Sequence, residues 1–264
     1  MAAGVATRAR SQCPAGAGAK IVTYQWVDCD RDVVSQRYDR IADFIPFFDW
    51  LLFLPWDLRR RAAVTLGLGQ GDSVLEIGCG TGRNFPHLRH AVGPSGRVFG
   101  IDISAGMLRK AQVLRDTNGW RNIELTECDA ADYVAPEPLD GVLFSLSYNT
   151  MPHHRAVLRH AWEQLRPGGR LVIMDAKVPP GWGRRLILPF SLWLMKRTLL
   201  GNPLIHPWLE LGAVTDRVEM SECLFSSYYI CSATKPFAGA SGQRQDRAAR
   251  DDAGPDTAYG IAAE

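Results

Sequence analysis

The residues best equipped for chemistry lie between Ser73 and Asn84, in the stretch SVLEIGCGTGRN. Residues suited to a buried parallel strand run into Gly78, Gly80 and Gly82, and a helical pattern resumes beyond Asn84. The spacing therefore predicts strand, tight glycine turn and helix. Such a turn cradles a nucleotide, because a side chain would hold the ligand off the backbone and the turn needs positive φ. Glu76 stands near the end of an otherwise apolar strand. A carboxylate there costs desolvation energy unless it accepts hydrogen bonds, which a bound ammonium group or its ordered water can donate. The glycine pattern is G-x-G-x-G, not the G-x-G-x-x-G of dinucleotide sites, and the charge of Glu76 would sit badly beside a pyrophosphate. A turn that binds nothing is the plainer alternative, since an isolated glycine fingerprint is weak.

Two further carboxylates follow at strand spacing. RVFGIDIS, residues 97–104, reads as an apolar strand that carries Asp102 at its carboxyl end, where a carboxylate can accept both hydroxyls of a ribose. NIELTECDA, residues 122–130, brings Asp129 to the end of a third strand. Glu76, Asp102 and Asp129 thus reach one edge of a parallel sheet, which is where open α/β folds bind ligands. The fourth strand, residues 140–145, runs into SLSYNTMPHH, whose Tyr148, Asn149, His153 and His154 supply hydrogen-bonding and proton-accepting groups. Tyr148, His153 and His154 are the candidate catalytic residues, imidazole because it titrates near working pH. The alternative makes Pro152 the first turn of a helix continuing through Val157, Leu158, Ala161, Trp162 and Leu165, with both histidines exposed on it.

Taken in order, VLEIGCGTGRN, GIDIS, ECDA and the LRPGGRLVIMDA of residues 165–176 resemble the successive motifs of class I S-adenosylmethionine-dependent methyltransferases, over residues 31–235. Within that class the chain is most similar to the quinone-biosynthesis enzymes and the bacterial phosphatidylethanolamine N-methyltransferases. The resemblance implies an α/β, Rossmann-like sheet of seven strands, mostly parallel, with an antiparallel terminal hairpin and N-terminal capping helices. It implies S-adenosyl-L-methionine as cofactor, held by Tyr38, Glu76, Gly78, Cys79, Gly80, Thr81, Asn84, Asp102, Ile103, Met107, Asp129, Ala130 and Ser145. Among these, the Tyr38–Asp39 pair would lie over the methionine end, and Ile103 and Met107 would sandwich the adenine. Asp129 would accept from the adenine amino group, the Ala130 backbone would complete that edge, and Ser145 would touch the cofactor. Tyr38 also reads as a plain core aromatic, because aromatics at helical spacing usually pack.

The elements that must position these groups sit in a chain of 264 residues, 46% hydrophobic and 22% charged, which suits one ordinary domain with additions. The expected division is a disordered tail over 1–30, a methyltransferase domain with a helical cap over 31–235, and a disordered tail over 236–264. An organellar transit segment is the alternative for the first tail. From Asp32, the apolar Val34, Tyr38, Ile41 and Ile45 recur at helical spacing until Pro46. Residues 46–56, PFFDWLLFLPW, are followed by Arg59, Arg60 and Arg61, and residues 179–208 form a second apolar and basic segment. Each reads as a helix buried on the sheet, a wall of a greasy pocket, or a dip into a membrane interface. A fifth strand is expected over 170–174 with Asp175 and Lys177 as its polar end, then two strands over 213–224 and 225–234.

A formal net charge of +2 gives no ground for a nucleic-acid partner. Six cysteines without paired metal-ligand spacing predict no metal and reduced thiols in a cytoplasmic setting. No run reaches the roughly 18 apolar residues of a spanning helix. The expected partner is a small-molecule or lipid substrate, with peripheral membrane contact at the apolar segments; the sequence is silent on oligomeric state. The expected reaction is methylation of nitrogen or oxygen rather than carbon on a hydrophobic or amphipathic molecule, because SYNTMPHH lacks the fourth-strand pattern of the quinone enzymes. The alternative from another class is a scaffold that binds S-adenosylmethionine without turnover.

Overall fold

A computed structural model describes residues 35, 36, 38, 39, 54–151, 153–177 and 205–237. Strand β1 (Ser73–Ile77) is buried at all of its positions, as a near-continuous apolar run must be when helices cover both faces of a parallel sheet. Strands β2 (Arg97–Asp102) and β3 (Ile123–Glu127) extend the sheet on one side of β1. On the other side lie β4 (Leu139–Ser145) and β5 (Leu165–Ala176), then β7 (Tyr228–Thr234) and β6 (Val218–Cys223), giving the order β3-β2-β1-β4-β5-β7-β6. The first five strands run parallel, while β7 is antiparallel to β5 and to β6. This is the α/β sheet with a terminal antiparallel hairpin that the motifs implied.

Alternation along each strand divides the core in two. Val74, Val98, Leu143 and Val172 face α1 (Leu58–Thr65), α2 (Phe85–Val92) and α3 (Ala105–Thr117), packing with Leu58, Phe85, Leu88 and Leu108. Leu75, Ile77, Phe144 and Ile173 face α4 (His154–Gln164) and α5 (Pro207–Val214), packing with Val157, Leu158, Trp162 and Leu211. The chain starts in the middle of the sheet, runs outward to β3 and returns to β4. The crevice at this switch point, beyond the carboxyl ends of β1 and β4, is where such sheets bind ligands.

Two expected strands are redrawn. Strand β5 begins at Leu165, not at residue 170, because Leu165 pairs with Leu139 ahead of a register shift between Leu139 and Gly141. Residues 213–224 are not one strand: α5 runs through Val214 to bury Leu211 against the sheet, and β6 starts only at Val218. The β6–β7 turn then carries positive φ at Leu224, Phe225 and Ser226. The expected first tail, residues 46–53 and 179–204 of the two apolar segments, and the final residues from 238 lie outside the described residues.

Residues 35, 36, 38 and 39 are helical and are tied to the start of α3. Ser35 Oγ donates to the Ile103 carbonyl at 3.1 Å. Asp39 Oδ1 accepts from Ser104 Oγ at 2.6 Å and from the Gly106 N–H at 2.7 Å. Ser104, the N-cap of α3, in turn accepts from the Met107 N–H. A carboxylate borrowed from another element thus helps cap the helix and interacts favourably with its dipole. The Ser104 hydrogen bond is the main influence holding the Asp39 carboxyl below its usual range. Asp39→Ala is expected to destabilise the fold by about 1 kcal/mol, the ordinary worth of a cap. Because the folded-state value is depressed, the difference from wild type should be full at neutral pH and fade as pH falls through that value, readable as the gap between two thermal-unfolding curves.

Candidate active site

The glycine turn is closed by its own backbone. Gly78 and Cys79 both donate to the Ile101 carbonyl at 2.9 Å, and Gly82 donates to the Cys79 carbonyl at 3.0 Å. Gly78, Gly80 and Gly82 have φ of 70°, 55° and 80°. The β4 loop rests on this turn: Ser147 Oγ donates to the Ile77 carbonyl at 2.7 Å, and a Cβ at position 78 would come within 2.5 Å of Ser147 Cβ. Thr81 lies half-buried in the turn, and Cys79 is buried.

Glu76 and Asn84 face each other across the turn, both 1% exposed. Asn84 Nδ2 donates to Glu76 Oε1 at 2.5 Å, while Glu76 Oε2 and Asn84 Oδ1 have no hydrogen-bond partner among the described residues. Burial pushes the Glu76 carboxyl up to about 8, against the pull of the Asn84 amide and of the Arg59 charge. Two orphaned acceptors beside a reluctant carboxylate call for a cationic donor with several N–H groups. The ammonium of an amino-acid ligand fits that demand.

The next strand end carries a second acceptor. Asp102 Oδ2 takes the Gly80 N–H at 2.8 Å and Oδ1 takes the Ser104 N–H at 2.9 Å, and the Ile103 N–H also bonds the carboxylate, which is thereby oriented and keeps acceptor capacity for a diol. Ile103 is half-buried beside it, and Met107 is buried on the first turn of α3. The Cys128 N–H donates to the Asp102 carbonyl, which draws Asp129 and Ala130 up to the same edge; Asp129 Oδ1 accepts from the Ala131 N–H at 2.8 Å. Tyr38 arrives from the N-terminal helix. Burial holds its hydroxyl protonated, with a pKa well above the usual value; the hydroxyl also bonds Thr150 and feels the charges of Asp102 and Asp175.

Arg59 is a site residue that the sequence reading missed. Its Nη1 donates to Ser145 Oγ at 3.3 Å, and its charge also acts on Glu76. The arginine run therefore divides: Arg59 turns to the sheet edge, Arg61 bonds Cys223, and Arg60 is exposed. A helix-period count over 58–61 was the available signal. Asp175 was read as a polar strand end, yet it is 4% exposed. The signal that singled out Glu76, a carboxylate closing an apolar parallel strand, applies to it equally.

Tyr148 and His153 lie between β4 and α4, as expected, whereas His154 is the first residue of α4, and the three have different settings. Tyr148 is fully buried, and its hydroxyl donates to Glu210 of α5. His154 Nε2 lies 3.2 Å from Glu210 Oε1, and Arg155 Nε donates to the same oxygen at 3.4 Å. His153 is exposed at the N-cap of α4. Burial works to raise the Glu210 carboxyl, but the His154 and Tyr148 hydrogen bonds outweigh it and leave it below its usual range. Among the described residues no group of histidine, cysteine and acidic side chains is arranged to hold a metal ion.

Comparison with known proteins agrees with this geometry. Residues 68–196 match a family model described as a methyltransferase domain. A demethylmenaquinone methyltransferase of Geobacillus stearothermophilus is 26% identical over 213 residues, 77% of this chain and 88% of that protein. One from Listeria welshimeri is 30% identical over 152 residues, which are 56% of this chain and 62% of its own length. Among solved structures, an N-methyltransferase from Haemonchus contortus, in complex with phosphomonomethylethanolamine and S-adenosylhomocysteine, shares the fold with a TM-score of 0.64 at 15% identity, over 79% of this chain and 61% of that one. An S-adenosylmethionine-dependent methyltransferase from Aquifex aeolicus does so with a TM-score of 0.53 at 20% identity, over 72% and 97%. Together these matches support a class I S-adenosylmethionine-dependent methyltransferase. Its cofactor is S-adenosylmethionine, which supplies an electrophilic methyl group on a sulfonium.

Proposed function

We propose that the enzyme methylates an oxygen or nitrogen atom of a hydrophobic or amphipathic small molecule or lipid. Glu76 and Asn84 hold the ammonium of the donor, Arg59 its carboxylate, and Asp102 the ribose. Ile103, Met107, Asp129 and Ala130 receive the adenine, the turn from Gly78 through Cys79, Gly80 and Thr81 lies along the donor, and Tyr38 and Ser145 cover its methionine end. The proposed domain spans 31–235. With the donor fixed, most of the acceleration comes from aligning the acceptor behind the methyl carbon and excluding water. The observation that carries the donor half is the pair of orphaned buried acceptors, Glu76 Oε2 and Asn84 Oδ1.

The acceptor half is supported by the side chains at the β4–β5 end of the sheet. Phe144 meets Tyr148 edge-on with ring centres 5.2 Å apart, and Trp208 meets Tyr229 in the same way at 5.2 Å. These rings are part of the apolar core under this end of the sheet, next to which a molecule with an apolar body and one polar, reactive end is proposed to bind. Tyr148, His153 and His154 are proposed to border the acceptor from the loop, the first and last braced by Glu210. No helix among the described residues is long and apolar enough to cross a membrane; the proposed setting is the cytoplasm, with access to a membrane surface through 46–56 and 179–208. The relatives' name favours one second reading, a demethylated quinone as acceptor.

The test incubates the protein with methyl-labelled S-adenosylmethionine and a metabolite extract of the source organism, then counts organic and aqueous phases separately. Label in the organic phase is expected, and mass spectrometry of the product then separates O- or N-methylation from a methylated quinone ring. Label confined to the aqueous phase would sink the proposed acceptor class.

A further inference from the structure

We propose that Asp175, at the carboxyl end of β5, is a catalytic residue that accepts the proton given up by the acceptor's hydroxyl or amine during methylation. The inference rests on the acceptor class proposed above and assigns that site its base.

The argument begins with a carboxylate that stability does not explain. Asp175 is buried, with Oδ1 accepting from the Ala176 N–H at 2.8 Å and Oδ2 from the Asn149 N–H at 3.2 Å. These two backbone bonds orient it and leave lone pairs on both oxygens. Among the described residues no cation acts on it. The groups that face it are the Tyr38 hydroxyl from the N-terminal helix, the Asn149 amide from the β4 loop, and the Tyr229 hydroxyl and Cys231 thiol from β7. Glu210, by contrast, is saturated by Tyr148, His154 and Arg155 and is a structural anion. An unpaired buried carboxylate is costly, and such costs gather where a function needs the group.

Its position fits the role. Tyr38 feels both Asp102 and Asp175, so one side chain links the ribose-binding carboxylate to this one. Beside Asp175 the Tyr229 hydroxyl interacts with the Asn149 side chain, whose Oδ1 is buried without a hydrogen-bond partner among the described residues. They can orient the O–H or N–H of an acceptor. Burial pushes the Asp175 carboxyl up to about 7, against its two backbone bonds, which places proton uptake near working pH. In the step itself the acceptor's oxygen or nitrogen forms its bond to the methyl carbon as the carbon–sulfur bond breaks. The sulfonium becomes a neutral thioether, and the acceptor's proton passes to Asp175.

The test uses the whole protein, labelled S-adenosylmethionine and four acceptor probes: heptylphenol, an alkyl naphthohydroquinone, dodecylamine, and a polyfluorinated phenol already ionised at neutral pH. Asp175→Asn should lower turnover of the weakly acidic probes about a hundredfold or more, the usual share of a general base. It should leave S-adenosylhomocysteine affinity intact and spare the ionised phenol. Wild-type turnover should rise with pH through about 7, where the carboxylate becomes free to accept, and Asp175→Glu should restore part of the rate. Equal losses on heptylphenol and the ionised phenol, unchanged rates on both, or a flat wild-type profile would overturn the assignment. If wild type methylates no probe, the acceptor class falls and the role of Asp175 falls with it, an outcome distinct from an active wild type with an equally active variant.

Discussion

Replacing Glu76 by Gln should weaken binding of S-adenosylhomocysteine about a hundredfold while making the free protein more resistant to unfolding at alkaline pH. The two effects have one origin. Glu76 is buried with Oε2 unpartnered among the described residues, and its carboxyl is pushed up to about 8. When a ligand's ammonium arrives, the ionised carboxylate becomes a charged hydrogen-bond partner, worth up to about 3 kcal/mol. Glutamine keeps the shape and the contact with Asn84 but offers no charge, so most of that energy is lost. In the free protein the sign reverses. Between the usual 4.5 and the folded value of about 8 the unfolded chain has released a proton that the folded state retains, so stability falls as pH rises across that window. The variant lacks this term, and its melting temperature should gain on wild type from pH 5 to pH 8. Linkage also requires that ligand binding expel the proton, so affinity should rise between pH 6 and 7.5, with proton release visible in calorimetry in two buffers of different ionisation heat. A variant that binds as tightly as wild type would remove Glu76 from the ammonium site.

Gly78→Ala should be the most damaging change in the turn, destabilising the fold by about 2 to 4 kcal/mol. Two penalties add at this position. The backbone φ of 70° is unfavourable for any residue with a Cβ, at roughly 1 to 2 kcal/mol. The new Cβ would also stand 2.5 Å from Ser147 Cβ, an overlap that only displacement of the β4 loop can relieve. Gly80→Ala is the internal control: φ is 55°, but a Cβ there meets nothing within 4 Å. It should cost only the backbone term. Adding Ser147→Gly to Gly78→Ala should recover much of the steric cost, less the hydrogen bond from Ser147 Oγ to the Ile77 carbonyl. Thermal unfolding of wild type, Gly78→Ala, Ser147→Gly and the double variant gives the cycle, with Gly80→Ala measured beside it. Equal costs at Gly78 and Gly80 would show that the loop does not press on the turn.

The parts of this architecture that could be read along the chain are those set by local chemistry. Five buried residues followed by glycines at alternate positions specify strand and turn without help from the rest of the chain. A carboxylate near the end of such a strand marks the sheet edge, which is why Glu76 and Asp102 were legible and why Asp175 was legible by the same rule. The boundaries of β5 and of the 213–224 region were not. They depend on a register shift opposite Leu139 and on where α5 finds room to bury Leu211, and both are set by neighbouring strands and helices.

The sequence by itself determined the order of the motifs, the parallel sheet and the acidic residues at its edge, because side-chain alternation, glycine φ and strand-end polarity are properties of a few consecutive residues. Only the tertiary structure decided what each polar group meets. It brought Arg59 to Ser145, Asp39 to the start of α3, and Tyr148 with His154 to Glu210, across separations of 86, 65, 62 and 56 residues. It also left Asp175 without a counter-charge among the described residues. A charged side chain reports its type locally, but its free energy is set by the nearest opposite charge and by the water it has lost, and both are fixed only when distant elements close around it.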